Sequence, residues 1–352
     1  MPKTGIAVLG YAHGHVSTYS SGIKTYDDFE LLACWDHDEE RGKERAQTFE
    51  TEYSPHIEDV VGREDVQLCI IGAETNRHAD CVIAAAEARK DVILQKPMAL
   101  SLEDCDRIID AVERTGIWFS LAFQMRYDPV NVAMKQLVDA GEVGRMGIVR
   151  RRHCLSLLFN EAFCNGPSAW HVDPVQNMGM WMDDASHATD WFYWMLGEPV
   201  SVMAEIDNVL TDCAPDDTGL AIYRFGNGEM GMLMNSSVIW SSESTVEIYG
   251  DKGVIIENYG DGPSCAVPQP AGSVMLKMYQ PDKAEQGWQI LPAEIPEGQG
   301  VRIANVTRNI LDEYKAGKVQ VNAREGKIST GMILGAYESA KTGTRVALPM
   351  DA

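Results

Sequence analysis

Two stretches of the sequence carry side chains able to move a proton. In the first, Gln95-Lys96-Pro97 follows the apolar run Asp91–Leu94. A lysine at the carboxyl end of a buried strand points into the cleft where ligands bind in open α/β sheets. Beside another positive charge its pKa falls, and it can exchange protons near neutrality. Away from a cleft it is an ordinary surface amine. In the second stretch, Trp181-Met-Asp183-Asp-Ala-Ser-His187-Ala-Thr-Asp190, the spacing puts Asp183 and His187 on one helix face, with Asp190 one turn beyond His187. A carboxylate one turn away fixes an imidazole's tautomer and raises its basicity. The same pair also suits a packed helix with a satisfied core histidine, and the aromatic run Trp191–Trp194 reads as core.

Elements that could hold these groups together are legible around them. Residues 5–9 form a short apolar strand ending in Gly10, and a helix follows through Lys24. Further strands read at Phe29–Cys34, Val66–Ile71, Asp91–Leu94 and Trp118–Phe123, with helices at Asp38–Phe49, after His78 and from the capping box Ser101-Leu-Glu-Asp104. That alternation implies a parallel, doubly wound sheet with right-handed crossovers over residues 1–122, a Rossmann domain. The first turn, Gly10-Tyr11-Ala12-His13-Gly14-His15, stands where a pyrophosphate meets a helix N-terminus. Gly10 fits the first fingerprint glycine, while Ala12 and His15 replace the later ones. Asp36 ends the second strand, where a carboxylate takes ribose hydroxyls. No arginine follows it directly, so NAD is favoured over NADP.

From residue 123 to 352 the pattern becomes α+β, with a large, open, mostly antiparallel sheet expected. Helices read at Asp128–Ala140, Met182–Leu196, Arg302–Ala316 and Glu325–Thr342. Thr218–Arg224, Gly231–Trp240 and Thr245–Tyr249 read as adjacent antiparallel strands.

Composition narrows the function classes. A formal net charge of −22 argues against nucleic acid and against anionic lipid surfaces. The N-terminal apolar run is too short for a signal peptide or a membrane span. The eight cysteines form no C-x-x-C pair and no zinc spacing, so no metal is expected. They suit reduced thiols of a cytoplasmic protein.

Taken together these residues resemble the Gfo/Idh/MocA family, the glucose-fructose oxidoreductase and inositol dehydrogenase group, over essentially the whole chain. The family's Glu-Lys-Pro motif stands here as Gln95-Lys96-Pro97, and its glycine-Asp-x-x-x-His-x-x-Asp segment as Gly179, Asp183, His187 and Asp190. Thr75-Asn76-x-His78, Gln124-Met-Arg126-Tyr-Asp-Pro129 and Tyr337-Glu-Ser339-Ala-Lys-Thr-Gly343 also match. The resemblance implies hydride transfer between NAD and a carbinol of a sugar, polyol or glycoside. Lys96 and His187 would be the catalytic pair, with Asp183 orienting His187. It adds Thr75, Asn76, His78 and Gln95 to the cofactor site, beside Gly10, Ala12, His13, Gly14, His15, Asp36 and Lys96. It puts Arg126, Trp170 and His171 near the substrate, with Trp170 able to stack on a sugar ring. A homodimer or homotetramer built through the open sheet is implied as well. Either Lys96 or His187 could be the base; the carboxylate of Asp183 would favour a protonated His187 and so a neutral Lys96. Two variations stay open: transient oxidation that cleaves or epimerises a glycoside on tightly bound NAD, and a non-catalytic sugar or cofactor sensor.

Overall fold

The computed structural model describes residues 3–243, 245–258, 267, 270–294 and 299–350; Cys265 lies outside them. Its first sheet is built from β1 (Thr4–Leu9), β2 (Phe29–Trp35), β3 (Glu52–Ser54), β4 (Leu68–Ile71), β5 (Asp91–Leu94) and β6 (Phe119–Leu121). The connecting helices are α1 (Gly14–Ile23), α2 (Glu39–Phe49), α3 (Ile57–Val61), α4 (His78–Glu87) and α5 (Leu102–Thr115). All pairings are parallel, in the order β3-β2-β1-β4-β5-β6. Strands β1, β4 and β5 are apolar and buried almost throughout, as a sheet covered on both faces requires. Strand β3 and helix α3 are additions to the sequence reading. At three and five residues they are too short to leave a periodic signal.

The strand order reverses between β1 and β4, and the crevice opens at their carboxyl ends. Gly10, directly after β1, has φ +87°, and a Cβ there would lie 2.5 Å from the Cα of Ala73. Only glycine serves at that point.

The second half holds α6 (Pro129–Asp139), β7 (Met146–Cys154), α7 (Glu161–Asn165), α8 (Met180–Leu196), β8 (Pro199–Asp207), β9 (Thr218–Phe225) and β10 (Met230–Ser236). It continues through β11 (Val246–Gly250), β12 (Val254–Glu257), β13 (Leu276–Tyr279), β14 (Gln289–Ile290), α9 (Gln299–Lys315), α10 (Ala323–Thr342) and β15 (Val346–Ala347). The nine-stranded sheet runs β14-β13-β12-β11-β7-β10-β9-β8-β15. The expected adjacency of the strands at 231–240 and 245–249 fails: β7 lies between β10 and β11, parallel to the first and antiparallel to the second. A hairpin signal between neighbouring strands cannot reveal a strand inserted from a hundred residues upstream.

One face of this sheet packs on α8 and α10 through Trp181, Phe192, Tyr223, Phe225 and Met332. The other face is open, leaving Met203, Leu220, Ile222 and Met232 between 42% and 51% exposed. The chain then returns to the first sheet. Ile303, Val306, Ile310 and Leu311 of α9 join the core formed by Ile6, Val8, Tyr19 and Phe29. The packing units therefore do not follow the expected division at residue 122, because α9 shields the β1–β2 region. Among the described residues, no helix is long and apolar enough to cross a membrane.

Candidate active site

The crevice above Gly10 has the features of a dinucleotide site. Helix α1 begins at Gly14, so its free N–H groups and positive end face the mouth of the crevice. His13 caps it, its Nδ1 accepting the backbone N–H of His15 at 3.3 Å. That bond leaves the imidazole proton on Nε2, which is buried without an acceptor. The side-chain amide of Gln95 at the end of β5 is also fully buried, and neither of its polar atoms has a hydrogen-bond partner. Orphaned buried donors and acceptors beside an open glycine turn fit a polar ligand laid across it.

Asp36 stands at the end of β2 as expected, but it is already engaged. It accepts the N–H groups of Tyr11 and Asp38 and a bidentate pair from Arg41, at 2.8 and 2.7 Å. Arg41 also reaches Glu74 at 3.0 Å. The cation missing from the position after Asp36 is thus supplied from the first turn of α2, where the five-residue offset hid it. Trp170 Nε1 donates to the carbonyl of Ala12 at 3.1 Å.

Lys96 and α8 meet below this turn. Helix α8 is buried on nearly every side, and its N-terminus is held from a distant loop. Asp216 accepts the N–H of Trp181 at 2.6 Å and the hydroxyl of Tyr337 at 2.7 Å. A Cβ on Gly179 would lie 2.1 Å from the Asp216 carboxylate, so the cap needs glycine there. Burial pushes the Asp216 carboxyl up to about 6, against the pull of these donors. With α8 so fixed, the carboxylate of Asp183 receives Lys96 Nζ at 3.0 Å and His171 Nδ1 at 2.9 Å. Lys96 also donates to the Asp183 carbonyl at 3.2 Å. Burial alone would raise the Asp183 carboxyl, but His171 and Lys96 outweigh it and hold the group well below the usual range.

Asp183 was expected to orient His187; it does not. The two do share a helix face, yet the carboxylate is drawn to Lys96 and His171, and His187 Nδ1 is left without a partner. Burial, then the charges of Lys96 and His153, push His187 well below its ordinary pKa. It is neutral where the sequence reading favoured a protonated ring.

Lys96, Asp183, His187, His171, His13, Gly14 and His15 line one cavity of about 230 Å³. The other expected residues have different partners. Arg126 is buried in an ion pair with Asp190, at distances of 2.7 to 3.1 Å. It also donates to the Gln320 carbonyl, so it fastens the junction to α8 and to the start of α10 instead of meeting substrate. Trp170 packs on His171 with ring centres 3.7 Å apart and the rings tilted by 30°, and it lies against the glycine turn, outside the cavity lining. The two nitrogens of His78 face the carbonyls of Pro97 and Ala73, which pins the Lys96 loop and leaves no atom for a cofactor. Thr75 donates to Asn177 at 2.6 Å and the Asn76 N–H to the Gln176 carbonyl, so both tie the 173–177 segment to the first sheet.

The cavity also contains groups to which the sequence assigns no site role: His153, Asp184 and Gln124, the last named only within a motif. His153 ends an inward-facing series on β7 with Val149 and Arg151 at alternate positions, a period-two signal hidden by its polarity. Its ring sits 5.3 Å from that of His187. Asp184 accepts Ser237 Oγ at 2.9 Å, and burial followed by the neighbouring Asp183 raises its carboxyl. Five of the eight histidines (13, 15, 153, 171 and 187) line this one cavity. His187, kept neutral by its burial and neighbours, offers one donor and one acceptor, which suits a hydroxyl group.

Comparison with known proteins matches two stretches of the chain to one family. Residues 4–123 match the family model described as "Oxidoreductase family, NAD-binding Rossmann fold", and residues 131–256 match the GFO/IDH/MocA C-terminal domain. A myo-inositol 2-dehydrogenase of Thermotoga maritima is 26% identical over 261 residues, 71% of this chain and 74% of its own length. A levoglucosan dehydrogenase of Pseudarthrobacter phenanthrenivorans is 26% identical over 226 residues, 57% of each chain. A solved levoglucosan dehydrogenase in complex with NADH and levoglucosan superposes with a TM-score of 0.81 over 99% of this chain and 100% of that one, at 20% identity.

Proposed function

The chain belongs to the GFO/IDH/MocA oxidoreductase family, with an NAD-binding Rossmann domain, and from that premise we propose that it oxidises a secondary carbinol of a cyclic polyol or anhydrosugar. The observation that carries this reading is the buried Lys96–Asp183 ion pair beside a neutral, unpartnered His187. The names of the inositol and levoglucosan dehydrogenases it resembles support the substrate class.

NAD, when bound, supplies the hydride acceptor. The glycine turn at Gly10, the N-terminus of α1 and Asp36 would hold it. On the substrate, His187 takes the hydroxyl proton, because burial and the charge of Lys96 keep its ring neutral. Lys96 donates a hydrogen bond to the same oxygen and stabilises the alkoxide character that develops there. Asp183 holds the ammonium in place, and His171 holds Asp183. The carbinol loses a hydride from carbon and a proton from oxygen, and leaves as a ketone. This assignment exchanges the roles that Asp183 alone would suggest, because its carboxylate serves Lys96 and not His187.

The open sheet face, with Met203, Leu220, Ile222 and Met232 exposed, supports pairing with a second copy of the chain. The unbridged cysteines among the described residues suit a cytoplasmic enzyme. The test is NADH formation from NAD across a panel of inositols, hexoses and anhydrosugars. NADH should accumulate with at least one of them and fall away in His187→Gln. No NADH with any compound, while ligands still bind, would overturn the reading in favour of a sensor. Substrate consumption without net NADH would overturn it in favour of transient oxidation on retained cofactor.

A further inference from the structure

Cys164 and Cys213 are 49 residues apart in the chain, yet their Sγ atoms lie 3.2 Å from each other. Cys164 is on α7, beneath the wall of the cavity, and Cys213 is in the connection between β8 and β9. Both are half-buried, while the other described cysteines are fully buried. The two thiols face the same carbonyl, that of Leu158, at 3.7 and 3.9 Å. They sit at the edge of a small apolar cluster made by Leu158, Met180, Ala214 and Val238. The sulfurs are therefore held together by packing from both sides, closer than two free thiols need to be and about an ångström beyond a disulfide bond.

The surroundings give this pair leverage. Phe163, next to Cys164, lines the cavity and stacks on His171 with ring centres 5.2 Å apart. Asp216, three residues after Cys213, caps α8 and so fixes Asp183 and His187. A covalent link between the two cysteines would join the wall of the cavity to the loop that caps its main helix.

We propose that Cys164 and Cys213 form a redox-active dithiol that a low-molecular-weight disulfide converts to an intramolecular disulfide, fastening the 157–178 segment over the cavity. One cysteine, as thiolate, attacks a sulfur of the reagent; a mixed disulfide forms and one reagent thiolate leaves. The second cysteine then attacks the protein sulfur of that mixed disulfide and expels the other reagent thiolate. Two electrons pass from the cysteine pair to the reagent, and the two cysteine protons end on the two released thiols. Burial, then the neighbouring Cys213, raise the Cys164 thiol to about 11, so the reaction accelerates from pH 7 to pH 9.

The experiment treats the full chain with oxidised glutathione, blocks remaining thiols by alkylation and maps the peptides by mass spectrometry. The expected product is lighter by two hydrogens, contains a Cys164–Cys213 cross-linked peptide and reverts with dithiothreitol. Cleavage within residues 157–178 by a dilute protease should slow roughly tenfold in the oxidised form, because local opening must now drag both loops together. Cys213→Ser should stop at the glutathione adduct on Cys164 and show no such protection. A stable glutathione adduct on the unmodified chain, or both cysteines still alkylatable while another pair is bridged, would overturn the proposal. So would equal protection in Cys213→Ser. None of these readouts uses catalysis, so the outcome is independent of the proposed reaction.

Discussion

Arg126→Ala separates a structural arginine from a substrate-binding one. Arg126 and Asp190 are 3% and 0% exposed, and three hydrogen bonds join them. Truncating the arginine leaves a buried carboxylate without its counter-ion, which costs about 3–5 kcal/mol. With a urea slope of roughly 3 kcal/mol/M for a chain of this size, the midpoint should fall by about 1–1.7 M. Replacing both partners, as Arg126→Met with Asp190→Leu, should recover most of that loss, because no charge is then stranded. A pH dependence follows. Burial already raises the Asp190 carboxyl, and Arg126 is what opposes the rise. Without Arg126 the folded pKa climbs further above the unfolded value of about 3.9, so the folded state binds the extra proton and stability falls as pH rises through the folded pKa. The gap between wild type and Arg126→Ala should therefore widen from pH 5 to pH 8. Urea titrations followed by tryptophan fluorescence at both pH values, with substrate KM measured on the folded variant, test all of this. A loss under about 1 kcal/mol, or a double variant as unstable as the single one, would refute the structural role. A KM raised tenfold or more at unchanged stability would return Arg126 to the substrate site.

Three further outcomes are expected. The acid limb of kcat/KM for oxidation should lie below pH 6.5, since the base must be neutral and His187 is depressed; His153→Gln, which removes one lowering neighbour, should move that limb upward. Asp36→Asn should release Arg41 toward a 2′-phosphate and lower the NAD over NADP preference by roughly 10–100-fold, read as the ratio of kcat/KM values. Leu220→Glu with Met232→Glu on the open sheet face should give monomers by light scattering without loss of the far-UV circular dichroism signal; an unchanged assembly would remove that face as the interface.

Most of the parallel sheet was readable because β1, β2, β4, β5 and β6 lie in apolar runs and helices α2 and α5 carry side-chain caps from Asp38 and Ser101; β3 and α3 carry neither signal. Lys96 and His187 were readable because strand ends and helix periodicity fix their directions. Partner choice was not. Spacing puts Asp183 under His187, but the carboxylate goes to the ammonium that burial leaves without water, and that ammonium comes from residue 96. Arg126 read as a site residue by its motif, whereas its real partner, Asp190, lies on a helix whose position depends on the whole second sheet. His78 shows the same limit: its ring is consumed by two backbone carbonyls that no sequence pattern reveals. The nine-stranded sheet was legible strand by strand but not in its order, since the β7–β10 pairing joins segments far apart in the chain.

In the proposed reaction Lys96, held by Asp183, works with His187 on a carbinol next to bound NAD. Single-turnover NADH formation in Lys96→Met, with NAD binding measured on the same sample, tests it most directly. The rate should be lower by about three orders of magnitude, the scale for losing a charged donor to the reacting oxygen, with NAD affinity within a few-fold of wild type. Turnover within tenfold of wild type at intact NAD binding would contradict it.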